Sequence, residues 1–99
     1  MSHIEPGDRV IATKLNDDES EAVVAAVLET TVDDYNFDSG RGDTNLYEYW
    51  KGMNISTHER VVEIRYVKGV DWAGDPVSYS KQTYAFPESR IAKIDGGDQ

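Results

Sequence analysis

The sequence predicts an all-β domain, a small barrel of about five strands with a long insertion between the second and third strands. Three observations predict it. The chain opens on Gly7-Asp8-Arg9-Val10, a turn that feeds a strand. Over residues 61–67, Val62, Ile64 and Tyr66 alternate with Glu63 and Arg65, the period-two pattern of a half-buried strand. The chain closes on Tyr84-Ala85-Phe86-Pro87-Glu88-Ser89-Arg90-Ile91. That phrase reads as a strand stopped by Pro87, which has no amide to give a ladder, then one helical turn, then a last short strand over residues 92–95.

Taken in order, residues 1–6 lead in, Pro6-Gly7-Asp8 is a turn, and residues 10–15 are the first strand. The acidic residues 16–21 form a solvated loop. Residues 21–32 carry signals of both kinds. Asp18 and Glu21 stand at capping-box spacing, and Ala22, Ala25 and Ala26 favour helix. Val23, Val24, Val27, Thr30, Thr31 and Val32 are branched at Cβ and favour strand. The apolar run is nearly continuous, so periodicity does not decide; the branched residues tip the segment toward a second strand. Residues 69–76 make a hairpin loop with Trp72 near its tip, and residues 77–86 return as a strand. Residues 96–99 are a frayed tail.

Residues 33–58 are too long for an ordinary hairpin connection, and such segments bind something, lack order, or contain an element of their own. The first part is polar and contains glycine. The second carries Leu46, Tyr47, Tyr49 and Trp50, where Asn45 with Glu48 caps a short helix ending at Gly52, or residues 46–50 form a strand.

A chain of 99 residues makes one domain. At this length it buries roughly two-thirds of its unfolded surface, enough for a barrel but not for a deep enzyme cleft. Without cysteine it has neither disulfides nor a thiolate metal site. No run approaches the ~20 apolar residues of a membrane span, and the first residues lack a signal pattern. These features fit a cytoplasmic protein, or part of a virus particle assembled there. Nineteen acidic residues against ten basic ones leave a net charge of −9, which repels nucleic acid and anionic membranes at ordinary salt. Such an excess belongs to a mesophilic acidic protein or to one adapted to molar salt, where the Debye length of about 3 Å screens carboxylate repulsion.

The best candidates for binding are the aromatic residues Tyr35, Phe37, Tyr47, Tyr49 and Trp50 of the insertion, with Trp72. Such side chains supply large rigid contact area and are enriched at interface hot spots. They either close an open end of the barrel as part of its core or form an arm that holds a protein partner. Among scattered basic residues, Arg65, Lys68 and Lys81 share one face if the third and fourth strands pair, and are the candidate nucleic-acid contacts. His3 and His58 have no ligands at metal spacing, and Asp33, Asp34, Asp38 and Asp43 do not match a calcium loop, so no metal or other cofactor is expected. Arg41-Gly42-Asp43 and the Asn54-Ile55-Ser56 sequon have no extracellular context. No nucleophile motif or phosphate loop occurs, and no enzyme activity is expected.

Gly7-Asp8-Arg9-Val10, the strand over residues 61–67, and Tyr84 to Ile91 with the strand after it resemble the layout of the SH3-like small-barrel superfamily, which includes Tudor and KOW domains. The likeness covers about half the chain. The closing phrase also resembles the endings of small acidic haloarchaeal proteins. The resemblance implies a non-enzymatic interaction or assembly module of a halophilic archaeon or its virus, a virion connector or neck component being its concrete form. The alternative it implies is a nucleic-acid-associated regulator of KOW or Tudor type working at high salt. The long insertion departs from compact Tudor and KOW domains, so no functional residue carries over from them.

Overall fold

A computed structural model of the chain describes residues 4–38, 40, 42–50, 52 and 55–94. His3, Arg41, Asn54, Asp95 and the tail 96–99 lie outside the described residues. The chain is mostly β. Its strands are β1 (Arg9–Thr13), β2 (Glu19–Thr31), β3 (Asn36–Asp38), β4 (Asp43–Asn45), β5 (Arg60–Val70), β6 (Pro76–Tyr79), β7 (Tyr84–Pro87) and β8 (Ile91–Lys93). One short helix, α1 (Leu46–Trp50), follows β4, and 3-10 turns occupy Val32–Asp34 and Glu88–Arg90. All pairings are antiparallel. The main sheet runs β6-β5-β2-β1-β8, with β7 also on β5, while β3 and β4 pair by themselves.

The first strands show how local chemistry selects this arrangement. Gly7, at φ 95°, turns the lead-in so that its amide reaches the Val24 carbonyl at 2.8 Å, a conformation a side chain would resist. Val10 and Ala12 then point to the core while Arg9, Ile11 and Thr13 are half-buried on the other face. Asp18 does not cap a helix. Its carbonyl accepts the Lys14 amide at 2.8 Å and its own amide bonds Asn16 Oδ1 at 3.1 Å, closing the β1–β2 hairpin.

The ambiguous segment is therefore strand. Its near-continuous apolar run reflects a change of face: Val24 pairs with Ile64 and Ala26 with Glu63, leaving Ala25 as an exposed bulge residue between them. The bulge lets Ala22 and Val24 on one side, and Val27 on the other, all turn toward one cluster. Burying Val62 and Ile64 fully on the neighbouring β5 is worth about 1.5–3 kcal/mol for each side chain.

Three expectations are corrected. The return strand predicted over residues 77–86 is two strands, β6 and β7, because the chain leaves the ladder between them. Ser80 fixes this break: its amide bonds the Tyr66 carbonyl at 2.8 Å, its hydroxyl accepts the Tyr66 amide at 3.0 Å and donates to the Gln82 carbonyl at 2.8 Å. The barrel of about five strands is not what the described residues form; they hold eight strands, and the main sheet stays open, with no ladder joining β8 to β6 or β7. The gap between β7 and the β1–β2 turn is bridged by side chains instead. Arg90, just before β8, donates to the Lys14 carbonyl at 3.0 Å and to Asp17 Oδ1 at 3.1 Å across it. The last strand also begins one residue earlier than expected, at Ile91.

The insertion packs against the sheet. Asn45 Oδ1 accepts the Tyr47 amide at 3.0 Å and starts α1, which resolves residues 46–50 as helix. Leu46 and Trp50, one turn apart on α1, are 1% and 2% exposed and join Val32, Val61 and Phe86 in a single core.

Candidate functional site

The open side of the sheet is a cleft of about 730 Å³ between the β1–β2 turn, the start of β7 and the insertion. Its wall is a continuous line of aromatic rings. Tyr84 meets Tyr66 at 4.9 Å between centroids, and Tyr66 meets Phe86 at 6.3 Å. Phe86 meets Trp50 at 5.3 Å, Trp50 meets Tyr49 at 6.2 Å, Tyr49 meets Phe37 at 5.4 Å, and Phe37 meets Tyr35 at 6.3 Å. Three of the six pairs are edge-to-face, an arrangement favoured by the ring quadrupole, and the other three are tilted.

Each ring is placed by a different element. Tyr66 stands on the same face of β5 as Val62 and Ile64, one repeat beyond the buried pair, so it sits where the core opens. Ile64 pairs with Tyr84 and Val62 with Phe86, which sets the β7 rings beside it. Trp50 comes from α1, and Phe37 from β3. Burial follows this geometry: Trp50 is almost wholly covered, whereas Tyr49 and Tyr84 are 47% and 41% exposed and form the rim. Burial pushes the Tyr66 phenol above its ordinary 10.0, with the neighbouring phenols Tyr84 and Tyr49 adding to it. The Tyr35 phenol is raised for the same first reason, and then by Glu63, to whose Oε2 its hydroxyl donates a hydrogen bond at 3.3 Å. Among the described residues the buried Trp50 indole nitrogen has no hydrogen-bond partner.

Two cations lie on this wall. The Lys14 ammonium stands 5.0 Å from the Tyr66 centroid, and the Arg90 guanidinium carbon 5.5 Å from that of Trp50. Asp38 is the carboxylate in the lining, with Asn16, Gln82 and Thr83 as neutral polar groups.

Of the residues singled out in the sequence, Tyr35, Phe37, Tyr49 and Trp50 come together here. Tyr47 is half-buried against the core instead, and Trp72 sits apart in the β5–β6 turn, 98% exposed. Tyr66, Tyr84, Phe86 and Lys14 were missed. The period-two spacing of Tyr84 and Phe86, and of Tyr66 with Val62 and Ile64, is the signal that would have put them on one face. Of the candidate nucleic-acid contacts, Arg65 donates to the Ser80 and Lys81 carbonyls at 3.1 and 2.7 Å, which ties it to the break between β6 and β7. Lys68 and Lys81 are exposed. Among the described residues no group of three or more His, Cys, Asp or Glu side chains is set to hold a metal ion, and no helix is long and apolar enough to cross a membrane.

No family model, curated protein or solved structure matches this chain.

Proposed function

We propose that the protein is a non-enzymatic interaction module of SH3-like layout that holds a segment of a protein partner in its aromatic cleft. The observation that carries this reading is the unbroken line of seven rings in an open cleft, with Tyr49 and Tyr84 left at the rim. Rigid aromatic surface of this kind offers a large apolar contact at small entropic cost. The SH3-like part of the reading is supported by the strand order β8-β1-β2-β5, with β6 and β7 sharing the outer edge of β5, and by the 3-10 turn before the last strand. The charge of −9 supports a working environment of high salt, such as that of a halophilic archaeon or its virus.

The test is to pan a random-peptide display library on the protein in molar salt and to screen the binders against a Tyr49→Ala/Tyr84→Ala variant. Binders that lose affinity for the variant are the expected result. A library that yields no binders, or only binders indifferent to the two tyrosines, overturns the reading. The nucleic-acid alternative, resting on Lys68 and Lys81, predicts instead that nucleic acid co-elutes with the purified protein in molar salt.

A further inference from the structure

Two cations of the chain itself already rest on the aromatic wall, and they are held differently. Arg90 is a fixture: its guanidinium also donates to the Thr13 carbonyl at 3.4 Å, the Lys14 carbonyl at 3.0 Å and Asp17 Oδ1 at 3.1 Å, and its side chain is only 17% exposed. Lys14 is anchored only by its backbone. Its amide and carbonyl close the β1–β2 turn with Asp18 and Asp17, while the ammonium rests on the Tyr66 face with no paired carboxylate among the described residues. A four-carbon stem lets that ammonium leave without disturbing the turn, and no hydrogen bond breaks when it does.

We propose that Lys14 is a tethered stand-in for a lysine or arginine side chain of the partner, which displaces it from Tyr66 when a basic segment enters the cleft. This rests on the reading of the cleft as the docking site and names the chemistry of its occupant. Charge decides between a basic and a neutral segment. The protein carries −9, which disfavours an acidic segment, and in molar salt, where the Debye length is about 3 Å, the choice falls to the groups at contact. At contact, the faces of Tyr66 and Tyr84 offer a cation the quadrupole that Lys14 already uses. Lys14 therefore acts as an internal competitor: the partner's cation gains only the difference between its own contact and the one it replaces.

The experiment uses short glycine-flanked peptides with lysine, arginine or norleucine at the centre, titrated into nitrogen-15-labelled full-length protein. The indole signals of Trp50 and Trp72 report on the cleft and on the remote turn respectively. The lysine and arginine peptides should shift the Trp50 signal and bind more tightly than the norleucine peptide. Lys14→Met, which keeps the stem and removes the charge, should tighten their binding by about two- to five-fold, the worth of one exposed cation–π contact. Because any lysine-to-methionine change makes the protein more acidic, Lys93→Met on β8 serves as the charge-matched control and should give a smaller gain. Equal gains from the two variants, or no preference for a cationic peptide while Trp50 still shifts, would overturn the role of Lys14 and leave the cleft as a docking site. If no peptide moves the Trp50 signal in either the parent or Lys14→Met, both readings fall.

Discussion

The two tryptophans illustrate how little a residue's type says about its task. Trp50 is 2% exposed, packed against Phe86 and covered by Arg90; Trp72 is 98% exposed in a turn held by Asp71 and Gly74. Trp50→Ala should therefore cost about 3–5 kcal/mol of stability, as large aromatic truncations in a core do. Trp72→Ala should lie within about 0.5 kcal/mol of the parent, as for surface changes away from structural features. Urea unfolding of both variants checks this, and a comparable loss for the two would contradict the packing of α1. The phenols give a second test at this scale. Tyr35 and Tyr66 are both raised above 10.0, so the folded state holds their protons more tightly than the unfolded chain does. Their contribution is fully present below pH 10.0 and is lost as the pH rises through their higher folded values. Stability should fall in that alkaline window, and ultraviolet phenolate titration should find two late tyrosines that become ordinary in denaturant. Replacing both by phenylalanine should flatten that fall; an unchanged alkaline profile would remove these two groups as its cause.

At the level of elements, the sequence was most legible where one signal acted alone. The alternation of Val62, Ile64 and Tyr66 with Glu63 and Arg65 locates β5, and Pro87 ends β7 where its missing amide requires. Legibility fell where tertiary contacts overrode local rules. The bulge at Ala25 hid the period of β2, and the Ser80 side chain, bonded to the Tyr66 amide and the Gln82 carbonyl, split a strand that no proline or glycine marks as broken. The insertion shows the same limit. Its aromatic content was plain, but whether Leu46 and Trp50 point inward depends on α1 meeting Val32 and β7, which are distant in sequence. The cleft was half legible for that reason: the rings of the insertion stand out as a cluster, while Tyr66, Tyr84 and Phe86 read as ordinary strand residues until the β5–β7 register brings them together. This packing makes a prediction. Replacing residues 34–57 by a short glycine-serine bridge removes Leu46 and Trp50, 1% and 2% exposed, from the core. Cooperative thermal unfolding should be lost in that deletion. A deletion that keeps its strand signal and a sharp transition would show that the sheet stands without the insertion.

At the scale of the whole molecule, charge is the dominant unsatisfied term. Nineteen carboxylates face ten basic groups, an excess that leaves a net charge of −9. Arg9 meets Glu21 and Asp75, Arg90 meets Asp17, and Lys93 meets Asp8. These pairs are exposed on at least one side, where water and salt screen them and their contribution is small. Repulsion within this excess of negative charge opposes the compact state until salt screens it. Screening continues beyond physiological ionic strength, as the Debye length falls from about 8 Å there to about 3 Å in molar salt. A protein adapted to molar salt should keep gaining. Circular dichroism melts from dilute buffer to molar potassium chloride should show a melting point that continues to rise above the physiological range, with strand content following it at the dilute end. A melting point that levels off near physiological salt would mark an ordinary acidic protein. The same strand content and melting point across the whole range would remove the support for salt adaptation and leave the acidic surface as a means of drawing in a basic partner.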